Sequence, residues 1–212
     1  MGNRDYKIFG VGEYYHIYNR GNGKQDIFLS KEDFEFFILK LNQNLFPAKY
    51  KQKYFRTPPL PENSFSLICY CLMPNHFHFL IRQNREIPTS KLILRICTSY
   101  SKYFNKKYDK VGHLFQDQFK QIVIEDNEYL KWLSAYIHQN PKVARLSKEP
   151  EDYKWSSYYD YTKPGIRGVG LVQCEIDIIL DQFNCQDDYL NFVSDSYEII
   201  KTKKELEILL LD

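Results

Sequence analysis

A chain of 212 residues, 43% hydrophobic and 26% charged, can bury one sizeable core and is short for several domains. No run approaches eighteen consecutive apolar residues, and the start at Met1, Gly2, Asn3, Arg4 and Asp5 lacks the basic-then-apolar order of a secretion signal, so the expected location is cytoplasmic, away from membranes. The five cysteines (Cys69, Cys71, Cys97, Cys174, Cys185) are odd in number and form no C-x-x-C pair, which argues against a disulfide framework or a cysteine zinc site.

The net charge of +2 hides an asymmetry. Residues 171–200 carry seven acids and no Lys or Arg, whereas residues 1–170 carry a net +9. A basic body with an acidic C-terminal segment suits a polyanionic partner for the body, although solvated helix faces produce the same balance.

In chain order, Glu13–Asn19 is short, aromatic and alternating, a strand that runs into the loop Arg20-Gly21-Asn22-Gly23. Ser30, with Asp33 three residues on, opens a helix whose apolar positions Phe34, Phe37, Ile38, Leu41 and Leu45 keep helical spacing as far as Pro47. Residues 48–63, with Lys49, Lys51, Lys53, Arg56 and three prolines, form a basic irregular connection. Phe65–Leu72 and His76–Arg82 flank Met73-Pro74-Asn75 and read as an antiparallel hairpin. Thr89 or Ser90 then starts a long helix carrying Leu92, Ile93, Ile96, Cys97, Tyr100, Tyr103 and Phe104. Phe119–Ile124 is a further strand, and Asp126 caps a helix that Pro141 is expected to stop soon after Asn140. This order indicates an α+β fold: helices on a mainly antiparallel sheet, with a helical C-terminal appendage.

On a strand, His76 and His78 share one face while Phe77, Phe79 and Ile81 take the other, so two imidazoles about 7 Å apart along the strand can converge on one divalent ion. A hydrogen-bonded surface pair has the same spacing, and two histidines leave a coordination sphere incomplete. On the later helix, Tyr136 and Asn140 lie one turn apart on a common face, with Leu133 and Ile137 turned to the core and His138 directed elsewhere. Between Lys91 and Glu125 seven basic residues (Lys91, Arg95, Lys102, Lys106, Lys107, Lys110, Lys120) alternate with Tyr100, Tyr103, Tyr108 and His113. That mixture suits phosphate neutralisation with stacking of unpaired bases, or equally the outer face of an amphipathic helix.

Leu72-Met73-Pro74-Asn75-His76-Phe77-His78, then Gly112-His113-Leu114-Phe115-Gln116 leading to Phe119-Lys120, then Tyr136-Ile137-His138-Gln139-Asn140-Pro141 resemble, in that order, the signature of the single-tyrosine HUH transposases. More narrowly the sequence is similar to the REP-associated tyrosine transposases and their insertion-sequence relatives, over roughly residues 12–160 and including Trp155-Ser156-Ser157-Tyr158. The resemblance implies an HUH core of ferredoxin-like type, His76 and His78 as ligands of Mg²⁺ or Mn²⁺ completed by Asn140, and Tyr136 as nucleophile. It implies a single-stranded or hairpin DNA partner, cut with a 5′-phosphotyrosine and a free 3′-hydroxyl, and a monomer or homodimer. Gln118 departs from the pattern, since many relatives carry arginine there. The expected division is a transposase domain over 1–165 and an acidic helical appendage over 166–212. The competing expectation is a hairpin-binding protein derived from a transposase and silent in catalysis, which would have no need of Tyr136, His76, His78 and Asn140 together.

Physical chemistry supports the same set. A phosphodiester repels anionic nucleophiles, and a phenol with a pKa of about 10 is protonated near neutrality, so a cation that withdraws charge from the phosphate lowers the barrier. Neutral imidazoles and an amide oxygen leave such an ion its full charge.

Overall fold

The computed structural model describes residues 10–50, 58–163 and 171–209. Lys51, Lys53 and Arg56 of the basic connection and the expected boundary at 165/166 lie outside them. A four-stranded antiparallel sheet in the order β2-β3-β1-β4 forms the centre, from β1 (Tyr14–Arg20), β2 (Phe65–Met73), β3 (His76–Gln83) and β4 (Lys120–Ile124). Strands β2 and β3 make the expected hairpin, reversing at Pro74-Asn75, and β3 is internal.

Strand alternation splits the core in two. Tyr15, Ile17, Tyr70, Leu72, Phe77, Phe79 and Ile81 point to one side and pack against α1 (Lys31–Leu45) and α2 (Thr89–Lys107). Phe77 and Phe79 are fully buried, worth roughly 2–3 kcal/mol each in area removed from water, and they anchor the histidine strand from behind. Cys69, Cys71, Met73, Leu80 and Ile124 face the other side, covered by α3 (Asn127–Val143) and by the short C-terminal helices α4 (Tyr158–Thr162), α5 (Asp177–Leu180) and α6 (Gln186–Asp195). The last helix, α7 (Tyr197–Leu209), lies on α3.

Helix α1 starts as expected: the Asp33 carboxylate accepts from the Ser30 amide at 3.0 Å. Helix α2 begins at Thr89, but Thr89 does not cap it; Pro88 occupies that place, and the Thr89 hydroxyl donates to the Gln121 side chain of β4. Asp126 caps α3 through the Tyr129 amide at 2.6 Å. Pro141 does not stop α3, which continues to Val143. A proline costs the helix one N–H bond and crowds the carbonyl four residues back, and here the next turn still closes through Ala144 N to Asn140 O at 3.0 Å.

The motif after α3 also has a structural role. Trp155 O accepts from Leu72 N, Ser157 N donates to Tyr70 O, and Ser157 Oγ accepts from Tyr70 N, so residues 155–157 cover the outer edge of β2. The segment after Gly112 runs beside the end of β1, with Asn22 N donating to Leu114 O and Gln116 N to Arg20 O. No helix among the described residues is long and apolar enough to cross a membrane.

Candidate active site

On the α3 side of the sheet, the register sets Tyr18 opposite His78 and Arg20 opposite His76, while His16, two residues before Tyr18, points to the same side. The rings of His76 and His78 are 5.0 Å apart and perpendicular; His16 stacks on His78 at 5.2 Å. From α3, Tyr136 comes edge-on to His78 at 5.7 Å and to His16 at 6.4 Å, with Trp132 stacked on its far side at 5.5 Å. Asn140, fully buried, donates from Nδ2 to the Tyr136 carbonyl at 2.8 Å, which aims its Oδ1 away from its own helix. The sequence-derived set of His76, His78, Tyr136 and Asn140 is therefore gathered on one side of the sheet.

Burial keeps these imidazoles neutral. It pushes His16 down to about 4 and His76 down to about 3, the latter helped by the charges of Lys204 and Arg20. His78 is held well below its ordinary range, by burial first and then by His76, His16 and Lys204. A neutral imidazole is the form that can offer a lone pair to a metal.

Lys204 of α7 was not anticipated. Its ammonium donates to Asn140 Oδ1 and stands over the Tyr136 ring, 5.3 Å from the centroid. The oxygen expected to complete a metal site thus already holds a cation. Among the described residues no group of three or more His, Cys, Asp or Glu is arranged to bind a metal, so His16 does not join its neighbours as a third histidine ligand. Two imidazoles and one amide oxygen are donor types that a divalent ion accepts.

The expected DNA-contacting residues are spread differently. Only Lys120, on β4 and 5.8 Å from the Tyr18 ring, faces the histidine side. Lys91, Arg95, Lys102, Lys106, Lys107 and Lys110 belong to the α2 layer across the sheet. Lys107 is engaged there: its ammonium lies 2.7 Å from the buried Asp33 carboxylate, which also accepts from Tyr108 at 2.7 Å and Tyr103 at 3.1 Å. Burial by itself would raise the Asp33 pKa, but Lys107, Tyr108 and the Leu29 amide outweigh it and hold it below the usual carboxylate range. Arg95 donates to Pro58 O at 2.8 Å. Lys102 and His113 instead line a cleft of about 870 Å³ between α2 and the 112–119 segment, which reaches the end of β1 at Asn19. Gln118 is exposed at its rim.

His138 is buried and bonds Tyr189 Oη at 2.7 Å and Ser157 Oγ at 2.9 Å, so it ties α3 to α6 and to the cover of β2. Tyr100, a rival nucleophile in the sequence, gives its hydroxyl to Ile27 O in the opposite layer. Of the residues missed, His16 was within reach of the alternation that puts Tyr14, His16 and Tyr18 on one side, but its neighbour in the sheet was not. Lys204 carried no sequence signal at all.

A family model described as IS200-like transposase matches residues 43–140, a span that contains His76, His78, Tyr136 and Asn140. No curated protein sequence matches the chain. Among solved structures, a REP-associated tyrosine transposase bound to a REP hairpin aligns with a TM-score of 0.55 at 15% identity, over 78% of this chain and 87% of that one, a likeness of fold. A transposase candidate from Deinococcus radiodurans R1 aligns at 0.39 and 10% identity, over 62% of this chain and 91% of that one, too loosely to bear on the fold. The ordered motifs, the antiparallel sheet with its histidine strand inside, and the family match agree: over residues 43–140 this chain is similar to the IS200-like transposases, the single-tyrosine HUH group that its motifs resemble.

Proposed function

We propose that this protein cuts and rejoins single-stranded DNA beside a folded hairpin, with Tyr136 as the nucleophile and a divalent ion, Mg²⁺ or Mn²⁺, held by His76, His78 and Asn140. The observation that carries this reading is the position of Tyr136: among the described tyrosines it is the one set edge-on to the paired histidines with an asparagine one turn further along its helix. The ion would supply Lewis-acid stabilisation of charge on the scissile phosphate. Burial keeps the two histidines neutral, and α3 holds the phenol against them. Attack by Tyr136 Oη on phosphorus forms the tyrosyl–phosphate bond and breaks the bond to the upstream O3′, which leaves as a hydroxyl with a proton matching the one the phenol gives up. Reversal joins strands. The body over 1–165 carries this chemistry, and in the appendage over 166–212 the described helices α5, α6 and α7 pack against α3. Lys102 and His113 on the cleft and Lys120 on the histidine side are the basic residues placed to take a strand; Lys91, Arg95, Lys106 and Lys110 add positive charge on the α2 layer.

Tyr136→Phe is expected to fold, to bind DNA and Mn²⁺, and to form no covalent adduct, while Tyr100→Phe still reacts. Denaturing electrophoresis with 5′- and 3′-labelled hairpin DNA reads this directly, since only the label 3′ of the cut should stay with the protein. A Tyr136→Phe adduct would overturn the assignment. A wild type that binds the hairpin and forms no adduct with either metal would favour the catalytically silent reading.

A further inference from the structure

Each of the two histidines of the candidate site has its Nδ1 engaged by a specific partner. His76 Nδ1 lies 2.5 Å from Asn75 Oδ1, and His78 Nδ1 lies 2.9 Å from His16 Nε2. We infer that Asn75 and His16 are positioning residues that hold His76 and His78 in the Nδ1–H tautomer, so that both Nε2 lone pairs are presented to a divalent cation. This rests on the metal site of the proposed function.

For His76 the chain of contacts assigns the proton. Asn75 Nδ2 donates to the Lys24 carbonyl at 3.3 Å, so its oxygen is the atom turned to His76, and an amide oxygen can only accept. The proton between them therefore belongs to His76 Nδ1. Asn75 is in turn held by the glycine loop: Gly21 N donates to Asn75 O at 2.8 Å. A side chain at Gly21 would place its Cβ 2.1 Å from the Gln25 carbonyl oxygen, so only glycine lets the loop close on Asn75 at this distance.

For His78 two arrangements share the 2.9 Å contact, since either imidazole can be the donor. If His16 donated, the proton of His78 would sit on Nε2 and leave that atom no lone pair to offer. If His78 donates, its Nε2 lone pair stays free. The metal site of the proposed function needs the second arrangement. Partners of this kind fix ring orientation as well as tautomer, and their loss lowers metal affinity by about 10- to 100-fold.

The test is long-range ¹H–¹⁵N NMR of imidazole nitrogens in the metal-free protein, joined to Mn²⁺ titration by electron paramagnetic resonance. Wild-type His76 and His78 should both show a protonated Nδ1 and an unprotonated Nε2, the reverse of the preference of free histidine. Asn75→Leu should release His76, and His16→Phe should release His78, to the Nε2–H form, each weakening Mn²⁺ binding by about 10- to 100-fold. Asn75→Asp and His16→Gln keep an acceptor in place and should keep the Nδ1–H form. An Nε2–H tautomer at either histidine in the wild type overturns the inference, as does unchanged Mn²⁺ affinity in both Asn75→Leu and His16→Phe. A wild type with the expected tautomers that binds no Mn²⁺ would sink the metal reading of the site and leave the tautomer assignment standing.

Discussion

Burial keeps His78, and half-buried His76, neutral on a strand that Phe77 and Phe79 pull into the opposite core. Imidazole and anchor thus alternate along four residues, so that changing a histidine leaves the anchor in place. His76→Ala and His78→Ala are each expected to abolish Mn²⁺ binding and to lower cleavage by at least about 100-fold, with hairpin affinity nearly unchanged. Filter binding and cleavage on one labelled hairpin separate the two properties; full cleavage by both variants would remove the proposed site. The lysines of α2 divide by the same residue-level reasoning. Lys107→Ala should cost about 1–2 kcal/mol of folding stability, because the Asp33 carboxylate, fully buried, loses its cationic partner. Lys102→Ala should leave stability alone and reduce the salt slope of DNA binding by about one. Denaturant titration and binding at several salt concentrations tell them apart, and a Lys107→Ala variant as stable as wild type would refute the structural role given to that residue.

At the scale of elements, α3 is held from three sides: by the sheet beneath it, by His138 to α6 and residue 157, and by α7 across its outer face. Contacts between α7 and α3 include Lys142 over Tyr197, Lys203 over Trp132 and Lys204 over Tyr136. Only Lys204 also reaches Asn140 Oδ1, so an ammonium and a divalent ion would compete for one oxygen. Lys204→Met, which keeps the aliphatic stem and removes the charge, is expected to tighten Mn²⁺ binding by up to about tenfold, equivalent to about 1.4 kcal/mol. Calorimetric titration of both proteins checks this; weaker binding in Lys204→Met would mean that the lysine supports the metal site instead of competing for it.

Over the whole molecule, the acidic C-terminal segment is less separable than its charge suggests. Val172, Ile176, Ile179, Tyr189, Val193 and Ile200 are buried, so deleting the segment would uncover apolar surface along with removing acids. Stability should also follow pH in a set direction. His16, His76 and His138 have folded-state values near 4, 3 and 3, below the ordinary 6.5. The unfolded chain then binds more protons between those limits, and the stabilisation present above about pH 6.5 is lost on acidification. Between pH 7 and pH 5 each such histidine contributes a loss of up to about 2 kcal/mol. Denaturant unfolding of the metal-free protein at the two pH values should show a lower midpoint at pH 5, and an equal or higher midpoint would contradict the buried neutral state of these rings.

Much of the site was legible because its information is local. Alternation on a strand put His76 and His78 together, one helical turn joined Tyr136 to Asn140, and Ser30, Asp33 and Asp126 marked where helices begin. Pro141 misled as a helix stop because the cost of one lost bond was outweighed by the packing of a helix buried along this whole turn. The charge count over α2 could not distinguish Lys107, committed to Asp33, from Lys102, open to a cleft, since Asp33 lies on a different helix. The same holds for His16 against His78, Asn75 against the glycine loop, and Lys204 against Asn140. Periodicity along the chain by itself determined which residues share a face, a property of backbone geometry within one element. Which faces meet depends on strand order and on the course of the last helix, and only the tertiary structure, through packing between residues far apart in sequence, decided that.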